Sequence, residues 1–245
     1  MSSTFTALHN LIQGGGTSQI DLGDYIDLPA LTISGTTITD APINANNSRL
    51  LRLIVVGINS FKRDGGAVNN STAPNHLVFQ FQNVPVTHNM NSTATNERGY
   101  NKPSEMKTYI MNYFLPGLIT ATGLTDAMLW APRREVANGG SGAGVTEYIA
   151  DALWLPTECE MFGTTALGRG DKEPSTGQAR LEYYTNETSN TSRTKYDRNA
   201  TAVAYWLATA VYSDYSNFCF VGTDGSDTSG AANTANGCSP AFCVR

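Results

Sequence analysis

The groups in this chain that could do chemistry are few and scattered. Its cysteines are Cys159, Cys219, Cys238 and Cys243, and its histidines are His9, His76 and His88. A nucleophilic thiolate needs a neighbour that lowers its pKa. No histidine or lysine lies near Cys219 or Cys243 in sequence, and phenylalanines flank both. Zinc is disfavoured because the cysteines lack CxxC spacing and nearby histidines. Buried free thiols are the expected state, while a bridge from Cys219 to Cys243 or Cys238 stays open in an oxidising environment. The dispersed histidines support no Ser-His-Asp reading. Asp224-Gly225-Ser226-Asp227 carries oxygens of the kind calcium takes, but Asp-Gly is a strong tight-hairpin signal, so a turn is the preferred reading. Arg133-Arg134 is the tight basic pair of the middle of the chain and reads as a surface or structural pair rather than a phosphate site. Sequons such as Asn91-Ser92-Thr93 arise by chance in a chain this rich in Asn, Ser and Thr. These readings assign no catalytic residue, no metal and no cofactor.

Binding is better supported than catalysis. From Thr201 to Asn236 there is no Lys, Arg, Glu, Gln or Met, although exposed positions ordinarily collect Lys and Glu. The palette that remains, Tyr, Ser, Gly, Asn, Asp and Thr, is that of antibody-like contact surfaces. Tyr supplies rigid amphipathic area, and the small polar residues supply adaptable hydrogen bonds. Hydrophobic anchors interrupt it at Trp206, Phe218, Val221, Pro240, Phe242 and Val244.

Length and composition bound what can display such a surface. At 245 residues and 26.3 kDa the chain can build one good-sized core or at most two small ones, and one domain is the expectation. With 40% hydrophobic and 15% charged residues it is globular. A net charge of -5 and a pI near 5.2 argue against nucleic acid as a partner. No apolar run is long enough to span a membrane. MSSTFTALHNLIQGGG does not resemble a secretory signal, which leaves a protein not exported by that route or a part of a larger product.

The positioning elements follow from pattern. Phe5, Leu8 and Ile12 predict a short helix over 3–13, stopped by Gly14-Gly15-Gly16. Ile20 to Leu31 reads as irregular strand and turn. Leu50 to Ile58 predicts a buried strand, and His76 to Val84 a half-exposed one that pairs with it. Lys62 to Asn75 and Asn138 to Gly144 read as loops. Ser104 caps a predicted helix whose stripe is Met106, Tyr109, Ile110 and Tyr113, and Pro116-Gly117 is expected to end it. LWAPRREV and LWLPTECEMF each read as an extended entry into a turn with Trp as a core plug. Leu167 to Asp197 is mostly polar. Two main helices, short antiparallel strands and long loops make an α+β fold.

AYWLA, NFCFV, DG and GCSPAFCVR at the C-terminus, with WLPTECEMFG and GYNKPSEMKTYI upstream, resemble the variable proteins of diversity-generating retroelements. The resemblance runs from about Leu50 to the end. It implies a single C-type lectin-like domain over 1–245, of the subtype close to the formylglycine-generating enzyme, with 1–48 as an N-terminal extension and 201–245 as the variable region. In that family an associated reverse transcriptase miscopies template adenines, chiefly in Asn codons, which cannot yield Lys, Glu, Gln, Met or Trp. Arg is permitted by such codons yet absent here. Mapping by motif puts the displayed positions at Tyr205, Val211, Tyr212, Asp214, Tyr215, Phe220, Gly222, Thr223, Asp227, Ser229, Asn233 and Ala235. Trp206, Phe218, Cys219, Val221, Gly237, Pro240 and Phe242 become scaffold. The implied function is recognition of a protein or glycan receptor on a cell surface, from a phage tail or a bacterial surface. The Glu-Pro-Asn and Trp-Asn-Asp pattern of calcium-binding lectins is not matched, since the chain offers Glu173-Pro174-Ser175 and no Trp-Asn-Asp. An enzyme on a formylglycine-generating-enzyme-like scaffold and a structural surface or virion domain are the alternatives.

Overall fold

The computed structural model describes residues 2–43, 48–62, 73–96, 99–101, 104–137, 146–163, 166–168, 180–185, 190–212 and 214–245. Helix α1 (Ser2–Gln13) buries Phe5 and Ile12 and ends where Gly15 takes a left-handed φ of 79°. Strands β1 (Tyr25–Asp27), β2 (Ala30–Ile33) and β3 (Thr36–Thr39) follow. Ser34 and Gly35, both at positive φ, turn β2 into β3, as a two-residue hairpin of matching twist requires. Then come β4 (Arg52–Ile58), β5 (Leu77–Phe81) and β6 (Val86–Asn89).

The middle of the chain supplies α2 (Glu105–Tyr109), a π-helical turn over Ile110–Phe114, α3 (Leu115–Thr122), β7 (Leu129–Trp130), β8 (Arg134–Ala137), β9 (Thr146–Ile149), α4 (Glu158–Phe162) and α5 (Glu182–Thr185). The last third is β10 (Lys195–Tyr196), β11 (Ala202–Val203), β12 (Tyr205–Ala210), β13 (Asn217–Val221), β14 (Asp227–Ala231), β15 (Ala235–Cys238) and β16 (Ala241–Val244). The α+β class is therefore met, with more helical segments than the two main ones expected.

Two five-stranded sheets organise the molecule. One has the order β1-β4-β5-β16-β7 and is antiparallel throughout. The other, β14-β13-β12-β15-β6, has one parallel pair, β12 with β15. Ser239 and Pro240 alone separate β15 from β16, so the C-terminal segment stitches the sheets together. Phe242 of β16 stacks on Phe79 at 5.6 Å, and Phe5 of α1 meets Phe79 edge-on at 6.0 Å. Residues 5, 12, 28, 31, 33, 38 and 43 belong to the same hydrophobic core as the rest, so the N-terminal segment packs into the domain.

Three expectations need correction. Strand β5 is buried along its whole length because both of its faces are covered, Phe5 of α1 and Phe114 packing on Phe79 and Phe81, and Tyr184 of α5 reaching Gln80 on the other side. Gln80 is satisfied there, its amide donating to Ser239 O (3.0 Å) and its Oε1 accepting from Tyr184 (2.5 Å). The helix capped by Ser104, whose Oγ accepts from Lys107 N, does not stop at Pro116. The π-helical turn absorbs the lost N–H, and the helix runs on until Gly123 takes a left-handed φ of 73°. Gly117 is a contact point, since a Cβ there would sit 2.0 Å from Thr32 O. Along the predicted stripe Met106 and Ile110 are buried, but Tyr113 is 46% exposed.

Trp130 and Trp154 plug the core as their Leu-Trp-x-Pro contexts suggest. Trp154 also bridges to Ala241 by paired backbone bonds (2.9 and 2.7 Å). Arg134 is fully buried, so the basic pair is structural at that member. Its guanidinium grips Glu160 through two bonds (2.6 and 2.7 Å), donates to Leu155 O (3.0 Å) and lies 4.7 Å from the Trp154 ring. Residues 63–72, the glycine-rich 138–144 link and Glu173-Pro174-Ser175 lie outside the described residues. We expect Glu160→Ala to cost about 3–5 kcal/mol in urea unfolding, because it strands the Arg134 charge, and the Arg134→Met, Glu160→Leu double variant to recover most of that loss.

Candidate functional site

The display reading is tested by which way the sheet β14-β13-β12-β15-β6 turns each side chain. Register pairs Tyr205 with Val221 and Gly237, Val221 with Asp227, and Cys219 with Ser229. These residues share one face, which packs inward toward α4. Trp206, Phe220, Thr228 and Gly230 share the other. On that outer face Phe220 meets Trp206 edge-on at 5.7 Å and lies over Gly230, where a Cβ would come within 2.9 Å of its ring. Phe220 is thus a half-exposed aromatic with a fixed orientation. The indole of Trp206 donates to His88 O (3.0 Å), tying β12 to the far edge strand β6. His88 in turn stacks on Tyr109 at 4.2 Å, and Tyr113 follows at 5.8 Å.

Loops close both ends of the sheet. At one end, 211–216 joins β12 to β13, and 232–234 joins β14 to β15 beside it, since Ala232 N donates to Ser216 O (2.8 Å). The amide of the buried Asn96 approaches the carbonyls of Val211 (3.1 Å), Asp214 (2.6 Å) and Asn217 (2.6 Å). Its backbone N–H donates to Tyr215 O (2.8 Å). Asp214 folds back to accept from Ser216 N (2.7 Å), Ser216 Oγ (2.6 Å) and Asn217 Nδ2 (2.8 Å), and these bonds hold its carboxyl below the usual range. On this frame Tyr215 projects outward, 56% exposed. At the opposite end Asp224-Gly225-Ser226 forms the expected turn, with Gly225 at φ 79° and Asp224 Oδ1 accepting from Ser226 N (3.0 Å).

The twelve predicted positions therefore separate. Tyr215, Thr223, Asn233 and Ala235 are exposed, and Tyr212, Asp214, Phe220, Asp227 and Ser229 are half-buried. Tyr205, Val211 and Gly222 are buried, which corrects their assignment to a displayed set. Tyr205 points inward from a strand flanked on both sides, and its hydroxyl donates to Arg193 O (2.9 Å). Tyr215, Asp214, Asn233 and Ala235 gather at one end of the sheet, whereas Thr223 sits at the other. The scaffold residues Trp206, Phe218, Cys219, Val221, Gly237, Pro240 and Phe242 are all buried.

Behind the inner face lies a polar cluster that sequence reasoning missed. Glu158, fully buried in the first turn of α4, accepts from Leu167 N and Gly168 N (both 2.9 Å). Cys219 Sγ lies 4.0 Å from the same carboxylate. Asp227 hydrogen-bonds Glu158 too, and burial, that bond and the neighbouring charge push its pKa up to about 8. Because two backbone N–H groups already donate to the Glu158 carboxylate, the shared proton is placed on Asp227, which then donates to Glu158. Burial raises the Cys219, Cys238 and Cys243 thiols, and all four cysteines are buried and free. Among the described residues no group of three or more His, Cys, Asp or Glu is arranged to hold a metal ion. No described helix is long and apolar enough to cross a membrane.

A family model described as a domain of unknown function, DUF6273, matches residues 79–245. The chain belongs to that family. The DUF6273 region contains all five strands of this sheet together with Asn96 and α4, and begins within β5. No curated protein and no solved structure matches the chain.

Asp227 yields a pH dependence of defined sign. Its folded pKa lies above the unfolded value, so the folded state keeps a proton that the unfolded chain releases. Its contribution to stability falls as pH rises from about 4 to about 8, and is level above that. Asp227→Asn keeps the donor to Glu158 without the titration. Its melting temperature is expected to match wild type near pH 4 and to exceed it increasingly toward pH 8, as thermal melts across that range would record.

Proposed function

We propose that this protein binds a macromolecular receptor through the loop end of its C-terminal sheet, on a C-type lectin-like scaffold, and performs no chemistry of its own. The observation that carries the reading is Tyr215, an exposed aromatic on a loop locked from behind by Asn96 and by the Asp214-Ser216-Asn217 bonds. A rigid aromatic among small polar side chains is how contact hot spots are built. Asn233 and Ala235 flank it, and Phe220 adds a second fixed ring on the outer face. The restricted alphabet from Thr201 to Asn236 supports diversification of these positions by a retroelement, with the receptor a protein or glycan on a cell surface and the protein carried on a phage tail or a bacterial surface. Against thiolate chemistry on a formylglycine-generating-enzyme-like scaffold stand the burial of Cys219 and Cys243 and the upward shift of both thiols.

Protein and glycan arrays probed with the purified chain identify the receptor class. Tyr215→Ala is then expected to weaken binding by tenfold or more, about 1.4 kcal/mol or above, with an unchanged melting temperature. Isolates of the same locus are expected to differ at Tyr212, Tyr215, Phe220, Thr223, Asn233 and Ala235 and to agree at Asn96 and Trp206. Differences spread evenly along the chain would remove the diversification claim.

A further inference from the structure

We infer that two copies of this chain pair edge to edge through β14, antiparallel and centred on Ser229. The phase of the β13–β14 ladder decides which backbone groups are free. Gly222 N donates to Ser226 O and Ala232 N to Ser216 O, both at 2.8 Å. Alternation between these bonds turns the N–H and C=O of Thr228 and Gly230 toward β13, and those of Asp227, Ser229 and Ala231 outward. Ala231 O is taken by Thr234 N, but among the described residues no hydrogen bond engages the backbone of Ser229.

Natural edge strands are blunted by lysine, proline, a bulge or an inward charge. Strand β14, Asp-Thr-Ser-Gly-Ala, has no lysine, proline or bulge, its register with β13 is unshifted over all five residues, and its one carboxyl is protonated below about pH 8. Neither described cavity touches β14. One lies under α1 and the other beside β6, so neither of these cavities offers side-chain pockets to a peptide laid along β14. A second copy needs none. A two-fold axis at Ser229 lets each Ser229 N–H donate to the other's C=O, and places Asp227 opposite the mate's Ala231 and Thr228 opposite the mate's Gly230, with no like charges facing.

The pairing stands on the geometry and side chains of β14, while its consequence for display rests on the function proposed above. Within one copy, the Tyr215 and Asn233 end and the Thr223 turn lie at opposite ends of the sheet. Antiparallel pairing sets the Asn233 end of each copy beside the Thr223 turn of its mate. The exposed positions that one chain keeps apart then form two composite patches.

Self-association of the full chain by sedimentation equilibrium, without any receptor, tests this independently of binding. Wild type is expected to show a concentration-dependent dimer. Ser229→Pro is expected to weaken it at least about tenfold while melting near wild type, because proline is tolerated at an edge where its missing N–H faced solvent. Thr228→Pro, which loses a ladder bond to β13, is expected to melt markedly lower. Hydrogen exchange supplies a variant-free reading: the Ser229 amide gains protection as wild-type concentration rises, whereas the Gly230 amide is protected throughout. A monomer at every concentration, a dimer undiminished in Ser229→Pro, or a Ser229 amide protected only by an added extended peptide would overturn the proposal.

Discussion

The position of α4 is set by one buried ion pair, and much of the C-terminal half is set by α4. Arg134 reaches from β8 to grip Glu160 directly, both side chains fully buried, and the same carboxylate accepts from Thr157 N to complete the capping box that starts the helix. Removing two charges from water costs more than their attraction returns unless further hydrogen bonds satisfy them. Here Leu155 O and the face of Trp154 supply part of that, and Trp154 is itself bonded to β16. The pair therefore contributes register more than net stability. With α4 placed, Glu158 stands two residues away on the same short helix, donates its own N–H to Thr209 Oγ1 (2.9 Å), and presents its carboxylate to Cys219, Asp227 and the 167–168 backbone.

Other ionisable groups are buried with no counter-charge among the described residues, and the fold keeps them neutral or satisfies them with backbone. Lys195 donates to Phe81 O (2.5 Å) and Gln82 O (3.2 Å), and burial lowers its pKa to about 7. His76 sits between Phe61 and Trp130, bonded to Phe61 N and Pro74 O, and burial lowers it to about 4, so it stays neutral. Each of these bonds ends on main chain between or beside the core strands. They act as staples on the frame, which is the physical reason that titratable residues in this protein need not mark reacting groups.

Sequence pattern carried the elements whose signal is local. The apolar run at 50–58, the Ser104 cap, the Asp224-Gly225 turn and the tryptophan plugs at 130 and 154 all follow from residue type and neighbours. Long-range pairing was not legible. Gln80 and Gln82 read as a solvent-facing alternation, but β16 pairs along β5 from the far end of the chain, Tyr184 of α5 comes over Gln80, and Gln80 finds partners at Ser239 and Tyr184. Tyr205 looked like a displayed tyrosine among small residues, yet strand alternation points it at Arg193. Asn96 gave no signal at all, because one asparagine in a Ser- and Thr-rich stretch looks like any other until the loop it holds is in place. The pairing of Glu158 with Asp227 was hidden for the same reason, since no sequence spacing relates α4 to the edge strand.

What the frame grips explains how proposed display positions could change without loss of fold. Asn96 binds the carbonyls of Val211, Asp214 and Asn217, and Trp206 binds the carbonyl of His88. These acceptors are main-chain oxygens, present whatever side chain the residue carries. Among the described residues no hydrogen bond uses the side chain of Tyr215 or Asn233, and Ala235 has none to offer, so substitution there leaves the frame intact. Asp214 differs, because its carboxylate organises the turn through Ser216 and Asn217. Phe220 differs in another way, since its ring covers Gly230 and a smaller residue would uncover backbone on the outer face. Tolerance to variation is then graded by how far each side chain serves its own backbone: free at Tyr215, Asn233 and Ala235, constrained at Phe220 and Asp214, and absent at Tyr205, whose hydroxyl and ring are part of the core.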